Sequence, residues 1–403
     1  MRARTATMAV LLLLTPIALL GQRRIPKDLS GTRGFNYRAA PARTSPEFWE
    51  QYKPAETERD LDYALRLKLN QVRVFLSWDA WIQDRPAFRR NLLHFVRAAH
   101  ARGIGVMATV QYEAAVPGDT SAWPRAREWA QDLVATIGKE PGLQFWDVMN
   151  EPECCELPAS AENRLRMRFA MHMANVFRQL DKRTPVTIGA TFADNMIAMG
   201  DSVDVLSYHN YYPTRAGIRA EIAKAKAYAA ETGKALINTE IGCTGRANPY
   251  DVTLQEHMNA HVGWYIWELM VTRRWGTVHG VFYPDGSIRD PSIVAALFGM
   301  FRNRGNDGVL EDPDREGWVT RTVDNNRKWL VDPQATWEQG LELAETSVNL
   351  LEANQLVAMH ELPSREIQQL RNGPQDMPNL RADLEKYTHL LEPYRKRAAT
   401  GAQ

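Results

Sequence analysis

The sequence predicts an α/β chain, a (β/α)8 TIM barrel with a C-terminal helical extension. Two observations lead there. From Gly34 to about Arg304, short β-rich runs alternate with amphipathic runs of helical period, and eight strand candidates can be counted. That span, about 270 residues, is the length usual for eight strand–helix units closed into a ring. A doubly wound open sheet is the alternative, but no Gly-rich phosphate loop follows the first strand.

The chain begins with Arg2 and Arg4 ahead of a mostly apolar stretch, Met8 to Leu20, that ends at Gly21. This pattern predicts a signal peptide over residues 1–21. The stretch falls short of the roughly 20 residues that span a membrane, and Pro16 interrupts it. An uncleaved anchor is the alternative, because Leu19 and Gly21 match the small-residue cleavage rule only in part. No later stretch is as long and apolar, so the mature chain is expected to be soluble, secreted or periplasmic, with no membrane contact after cleavage.

The barrel is expected over residues 30–304. Its strand candidates are Gly34 to Tyr37, Val72 to Leu76, Gly105 to Gln111, Leu143 to Met149, Pro185 to Ala190, Val203 to Ser207, Ala235 to Thr239 and Gly263 to Trp267. Several are continuous apolar runs, as parallel strands covered on both faces require. Between them, Phe88, Leu92, Phe95 and Ala99 fall at helical spacing, and Ile218, Ile222, Ala225 and Ala229 repeat it. One stripe of each helix should face the sheet.

Residues 305–335 read as an irregular, charged connecting segment whose Trp318 and Trp329 pack it onto the barrel. Residues 336–396 read as the helical extension. A helix is predicted from Trp337 to Leu362 on the spacing of Leu341, Ala344, Val348 and Leu351; Pro363, Pro374 and Pro378 interrupt, and Asp383 to Tyr394 forms a last helix. The extension should cover a barrel face. A dimerising hairpin is the alternative, although the apolar stripe is too short for three heptads; the oligomeric state stays open.

Composition narrows the partners. With 403 residues, 44% hydrophobic and 24% charged, the chain can bury a large core and is ordinary for a soluble fold. Lys+Arg number 49 against Asp+Glu 48, a net charge of +1 with no long basic run, so nucleic acid is not an expected partner.

The chemistry is carried by two segments, Trp146-Asp147-Val148-Met149-Asn150-Glu151-Pro152 and Ala235-Leu236-Ile237-Asn238-Thr239-Glu240-Ile241-Gly242, which each run an apolar stretch into a glutamate. A carboxylate there is costly to desolvate and needs a reason. In a parallel barrel all strand C-termini share one face, so Glu151 and Glu240 can oppose one another across a pocket, the arrangement that cleaves glycosidic bonds. Arg73 is a cation inside the apolar run Val72-Arg73-Val74-Phe75. His209 and Tyr211 sit in Ser207-Tyr208-His209-Asn210-Tyr211-Tyr212-Pro213, and Trp267 ends Trp264-Tyr265-Ile266-Trp267. Of the two indoles one should be core, since alternate strand residues face opposite ways.

Over roughly Arg33 to Arg304 these residues resemble the retaining glycoside hydrolases of clan A, and within it the cellulase-like family 5 and its relatives. The resemblance implies that Glu151, following Asn150, is the acid/base and that Glu240 is the nucleophile. Arg73 is similar to the clan's strand-two arginine, His209 and Tyr211 to its strand-six His-x-Tyr, and Trp267 to its strand-eight tryptophan. Glu240 must be ionised and needs cationic neighbours, whereas Glu151 must hold a proton, so its surroundings are expected to be drier and less cationic. Asn150 would bond the sugar 2-hydroxyl. The bland alternatives are an edge-strand arginine, a structural histidine and a strand-end asparagine cap.

The implied function is a secreted retaining β-glycoside hydrolase acting on β-linked glucan, mannan or a related oligo- or polysaccharide, with no cofactor. A non-catalytic carbohydrate-binding barrel and a transglycosylase are the alternatives. Trp78, Trp81 and Tyr112 are either cleft or packing residues. Where many family members carry a histidine at the end of strand three, this chain reads Thr109-Val110-Gln111-Tyr112-Glu113, so sugar contacts there must differ. If the two glutamates adjoin, Cys243 could pair with Cys154 or Cys155, with free thiols or a vicinal bridge as alternatives. With neither a His-x-His near the first strand nor a Cys-x-x-Cys pair, no metal site is expected.

Overall fold

The computed structural model describes Arg23 and residues 25–153, 159–273, 279–301, 314–353 and 363–395. Eight parallel strands form one sheet: β1 (Arg33–Tyr37), β2 (Gln71–Ser77), β3 (Gly105–Gln111), β4 (Leu143–Asn150), β5 (Val186–Gly189), β6 (Leu206–His209), β7 (Leu236–Ile241) and β8 (Gly263–Ile266). Their order, β5-β4-β3-β2-β1-β8-β7-β6, runs around a ring. A parallel bridge between Ala190 and Tyr208, with the His209 amide donating to the Ala190 carbonyl at 2.8 Å, joins β5 to β6. The chain is therefore a (β/α)8 barrel. Each strand lies where the sequence places one, except that β6 starts three residues later than expected. Asp204 is the reason: its carboxylate accepts the Val186 amide at 3.0 Å and the Arg178 guanidinium at 2.7 Å, a clamp at the foot of the strand.

The barrel interior is layered. Met107, Phe145, Val205, Ile237 and Tyr265 form an apolar plug. A methyl group at Gly34 would lie 2.2 Å from the Tyr265 ring, so only glycine leaves room for it. Above the plug, toward the strand C-termini, Asn36, Arg73, Thr109, Asp147, Ser207, His209, Thr239 and Glu240 are buried polar groups. Outside the sheet, residues such as Val72, Val74, Val106 and Trp146 pack against Leu92, Phe95 and Phe177 of the helices.

The helices form for local reasons. Asp84 caps Arg85–Ala101, its carboxylate accepting the Ala87 amide at 2.9 Å, and Pro86 occupies the first turn. Such a cap contributes about 1 kcal/mol. This helix buries the expected stripe of Phe88, Leu92, Phe95 and Ala99. Thr214 caps Arg215–Thr232, and Gly233 ends it at φ +66°, a left-handed turn that glycine adopts without strain. Ile218, Ile222 and Ala225 are buried there and Ala229 is half-buried.

The C-terminal part differs from expectation. The supposedly irregular segment 305–335 contains a helix, Asp314–Val331. Its exposed Arg321, Arg327 and Lys328 give the sequence a charged texture, but Val319 and Val323 make an i,i+4 apolar pair that buries. The partners are Trp337–Ala353, which buries Leu341, Ala344, Val348 and Leu351 as predicted, together with Pro363–Asn372 and Met377–Leu391. Pro363 and Pro378 do not break helices; each stands in a first turn, where a missing N–H is not needed. Trp329 packs inside this bundle and Trp318 against it. The bundle instead meets the barrel at the turn Thr244–Arg246, just past β7, through Asp314–Val331 and Trp337–Ala353.

The expected signal peptide, and the expected continuation of Trp337–Ala353 to Leu362, lie outside the described residues. Among those described, no helix is long and apolar enough to cross a membrane.

Candidate functional site

Three register shifts aim the site. Along β7, Ile237 joins the interior plug and Thr239 bonds Ser207 of the neighbouring β6 at 2.7 Å, while Asn238 faces outward to His257. Simple alternation would turn Glu240 outward as well. The ladder slips between Tyr208 and His209 against β6 and between Asn238 and Ile241 against β8, which brings Glu240 level with His209 and re-aims its side chain into the mouth. Along β4 the register shifts between Asp147 and Asn150 against β5, and this turns Asn150 inward.

Arg73 is the hub of what these shifts assemble. Fully buried, its guanidinium donates to Asp147 Oδ2 at 2.7 and 2.9 Å, to Asn36 Oδ1 at 3.1 Å, to Asn150 Oδ1 at 2.6 Å and to Glu240 Oε1 at 2.5 Å. It is not an edge-strand arginine. Burial alone would lower its pKa, but Asp147 and Glu240 outweigh burial and raise it, so the cation is permanent. Asp147 is further held by Thr109 at 3.0 Å and the Gly189 amide at 3.0 Å. The Tyr211 hydroxyl donates to Glu240 Oε2 at 2.9 Å. Burial, then the charge of Glu240, pushes that phenol well above its ordinary value and keeps it a donor.

Glu151 follows at φ +40°, a left-handed conformation that costs a non-glycine residue about 1–2 kcal/mol. Its amide donates to the Gly189 carbonyl at 2.7 Å. Its Oε1 lies 2.6 Å from His209 Nδ1, and that nitrogen is 3.6 Å from Glu240 Oε2. Burial pushes the Glu151 carboxyl up, but the His209 hydrogen bond and charge, then Arg246 and Arg73, outweigh it and hold it well below the usual range. The expectation of a less cationic setting for Glu151 is thus corrected. His209 arrives from β6 and Arg246 from the turn after β7, neighbours that strand order along the chain does not reveal. His209 Nε2 is buried with no partner, so the ring's directed bond is the one to Glu151.

The two indoles divide as alternation requires. Trp264 is buried in the core, whereas Trp267 is half-buried at the mouth, edge-on to Phe75 and to His279. Trp78 meets Trp129 edge-on and Trp81 meets it tilted, and Tyr112 packs on Trp129 and Phe169; all three are packing residues. Cys243 is a buried free thiol 3.9 Å from His279, with burial pushing its pKa up to about 11. Its candidate partners Cys154 and Cys155 lie outside the described residues.

All seven residues singled out from the sequence thus meet in one place, and five of them, Asn150, Glu151, Tyr211, Glu240 and Trp267, line a cavity of about 230 Å³. Arg73 and His209 lie behind it. The sequence reading missed Asp147, although an aspartate inside an apolar strand carries the same signal as Arg73. It also missed Arg246, which lies over the Tyr211 ring at 4.3 Å, together with His279 and the helical Asn349 and Glu352, for which no local signal exists. Glu151, His209 and Glu240 offer atoms all within 4.8 Å of one another, close enough to hold a cation. Both Glu240 oxygens are already engaged, by a guanidinium and a phenol, so the set suits proton exchange better than metal ligation.

Comparison with known proteins agrees with this geometry. The family described as Cellulase (glycosyl hydrolase family 5) matches residues 30–272, more than half of the chain. No curated protein matches. Among solved structures, an exo-β-1,4-mannosidase from Opitutaceae bacterium strain TAV5 is 16% identical, covering 77% of this chain and 69% of its own, with a TM-score of 0.53. GH5_18 from Streptomyces cattleya in complex with Manβ1-4GlcNAc is 16% identical, covering 68% of this chain and 82% of its own, with a TM-score of 0.55. ZgEngAGH5_4 in complex with a cellotriose is 15% identical, covering 69% of this chain and 99% of its own, also at 0.55. At such identities the likeness is one of fold. The family match over the barrel, on top of that fold, decides the assignment: this chain belongs to glycosyl hydrolase family 5.

Proposed function

We propose that the protein is a retaining β-glycoside hydrolase in which Glu240 is the nucleophile and Glu151 the acid/base. The observation that carries this reading is the approach of the two carboxylates, whose oxygens come within 4.8 Å of one another. Retaining enzymes hold their pair about 5–5.5 Å apart, whereas inverting ones need about 6.5–9.5 Å to admit a water.

Glu240 attacks the anomeric carbon while the glycosidic C–O bond breaks and Glu151 gives its proton to the leaving oxygen. Arg73 and Tyr211 bond the two oxygens of Glu240 and orient it. A glycan filling the cavity excludes water, and these drier surroundings favour the neutral acid form of Glu151 that gives the proton. Once Glu240 is esterified its charge is gone and Glu151 is a carboxylate, able to take a proton from the water that attacks the same carbon. The C–Oε bond then breaks and the sugar leaves with net retention. Trp267 offers a flat apolar face to the ring, and Asn150, its oxygen turned to Arg73, presents its amide to the 2-hydroxyl.

The gluco- and manno-configured glycans named with the structural neighbours support a β-linked hexose substrate. The basic and apolar start of the sequence supports export.

Replacing Glu240→Gly and supplying azide tests the assignment. Hydrolysis of aryl β-mannosides and β-glucosides should fall at least about a thousandfold, and azide should restore turnover with a glycosyl azide of inverted configuration. Undiminished hydrolysis, or rescue giving the retained azide, overturns it.

A further inference from the structure

The cavity between Glu151 and Glu240 is not built by the barrel alone. Among the described residues that line it, Asn349 and Glu352 come from the helix Trp337–Ala353 of the C-terminal bundle. They are three apart and share one helix face, both half-buried, along one edge of the stripe that Leu341, Ala344, Val348 and Leu351 bury in the bundle. That helix packs against Thr244–Arg246, the turn that also delivers Gly245 and Arg246 to the cavity.

We propose that Asn349 and Glu352 are sugar-contacting specificity residues that close the glycone end of the site, so that the protein takes the terminal sugar of a β-linked chain. This rests on the glycosidase reading above. The side follows from that chemistry. Glu151 faces the leaving group from β4, and Glu240 attacks the sugar that remains. The bundle helix packs on the turn after β7, which carries Arg246, and lines the cavity together with Trp267 and the nucleophile.

A barrel mouth without this helix would be a groove along which a polymer could run. With the helix laid there, the groove stops. The remaining volume of about 230 Å³ is smaller than the roughly 300–1,000 Å³ of a drug-sized pocket and suits one sugar ring. A carboxylate accepts from neighbouring hydroxyls and a carboxamide both donates and accepts, which fits the far hydroxyls of a neutral hexose. A uronic acid would set a fourth carboxylate beside Glu151, Glu240 and Glu352.

The experiment uses the full chain with Asn349→Ala, Glu352→Ala and the isosteric Glu352→Gln, assayed on cellotetraose and mannotetraose. The unsubstituted protein should release monosaccharide first. Each alanine variant should raise KM about tenfold, the size of one lost hydrogen bond to a charged or polar group, with kcat much less affected and with di- and trisaccharide appearing among first products. Glu352→Gln should recover part of the lost affinity. Unaltered KM and product pattern in folded variants overturn the proposal, as does random internal cleavage by the unsubstituted protein. If the unsubstituted protein neither cleaves these sugars nor binds them by calorimetry, the glycosidase reading itself fails, which is a distinguishable result.

Discussion

The β7 corner and the β4 corner of the pocket each bury a glutamate, but they compensate its charge differently. At β7, Glu240 meets Arg73, a guanidinium that cannot lose its proton and is locked by Asp147, Asn36 and Asn150. At β4, Glu151 meets His209, an imidazole whose Nδ1 lies 2.6 Å from the glutamate's Oε1. A fixed cation compensates the charge of one carboxylate. An imidazole, whose ring nitrogens can donate or accept a hydrogen bond, faces the other. Under the proposed mechanism these different neighbours separate the nucleophile from the acid/base.

Three measurements can break or sharpen this contrast. The largest effect should come from Arg73→Ala, which leaves Asp147 and Glu240 buried without their cation. Unfolding by denaturant should show a loss of about 3–5 kcal/mol, accompanied by loss of hydrolysis. A loss near zero would mean that the β7 corner is compensated by something other than Arg73. Next, Glu151→Ala should slow cleavage of unactivated disaccharides by about 10²–10⁴-fold, while the first step on a dinitrophenyl glycoside, whose leaving group needs no proton, stays nearly as fast. Equal losses on both substrates would remove Glu151 from proton transfer.

The smallest effect concerns pH. The folded Glu151 carboxyl is held at about 2 by His209, against 4.5 ordinarily, so below pH 4.5 the unfolded chain binds the proton first. That contribution is full above the ordinary value and is lost as pH falls toward the folded one. His209→Ala removes the largest lowering causes and leaves burial opposed only by Arg246 and Arg73, so the carboxyl rises. The variant's Tm should therefore fall less steeply than that of the unsubstituted protein between pH 4.5 and about 2, by about a few degrees. Parallel curves would show that His209 does not set the Glu151 charge.

Much of this site was readable in the sequence because its members violate their surroundings. Arg73 inside an apolar strand, and Glu151 and Glu240 ending apolar runs, are charges that burial makes expensive, and each points to a partner. His209 and Tyr211 were found through family resemblance more than through their own pattern, since an aromatic cluster before a proline also suits an ordinary loop. The segment 314–331 was misread for the converse reason: its exposed charges are plentiful and its buried pair, Val319 and Val323, is short. Arg246, Asn349 and Glu352 left no trace at all, because a polar residue at a turn or on a helix edge is what solvent exposure also produces.

The amino-acid order by itself determined the barrel, through eight apolar runs separated by helical stripes, and it determined which side chains would gather at one rim, because parallel strands all end on the same face. Only the tertiary structure decided how those groups are charged and what encloses them. The register shifts that turn Asn150 and Glu240 inward, the placing of His209 rather than Arg73 against Glu151, and the helix that brings Asn349 and Glu352 to the mouth all depend on contacts between segments far apart in the chain. Period and composition act within a few residues; electrostatic compensation and shape act across the fold.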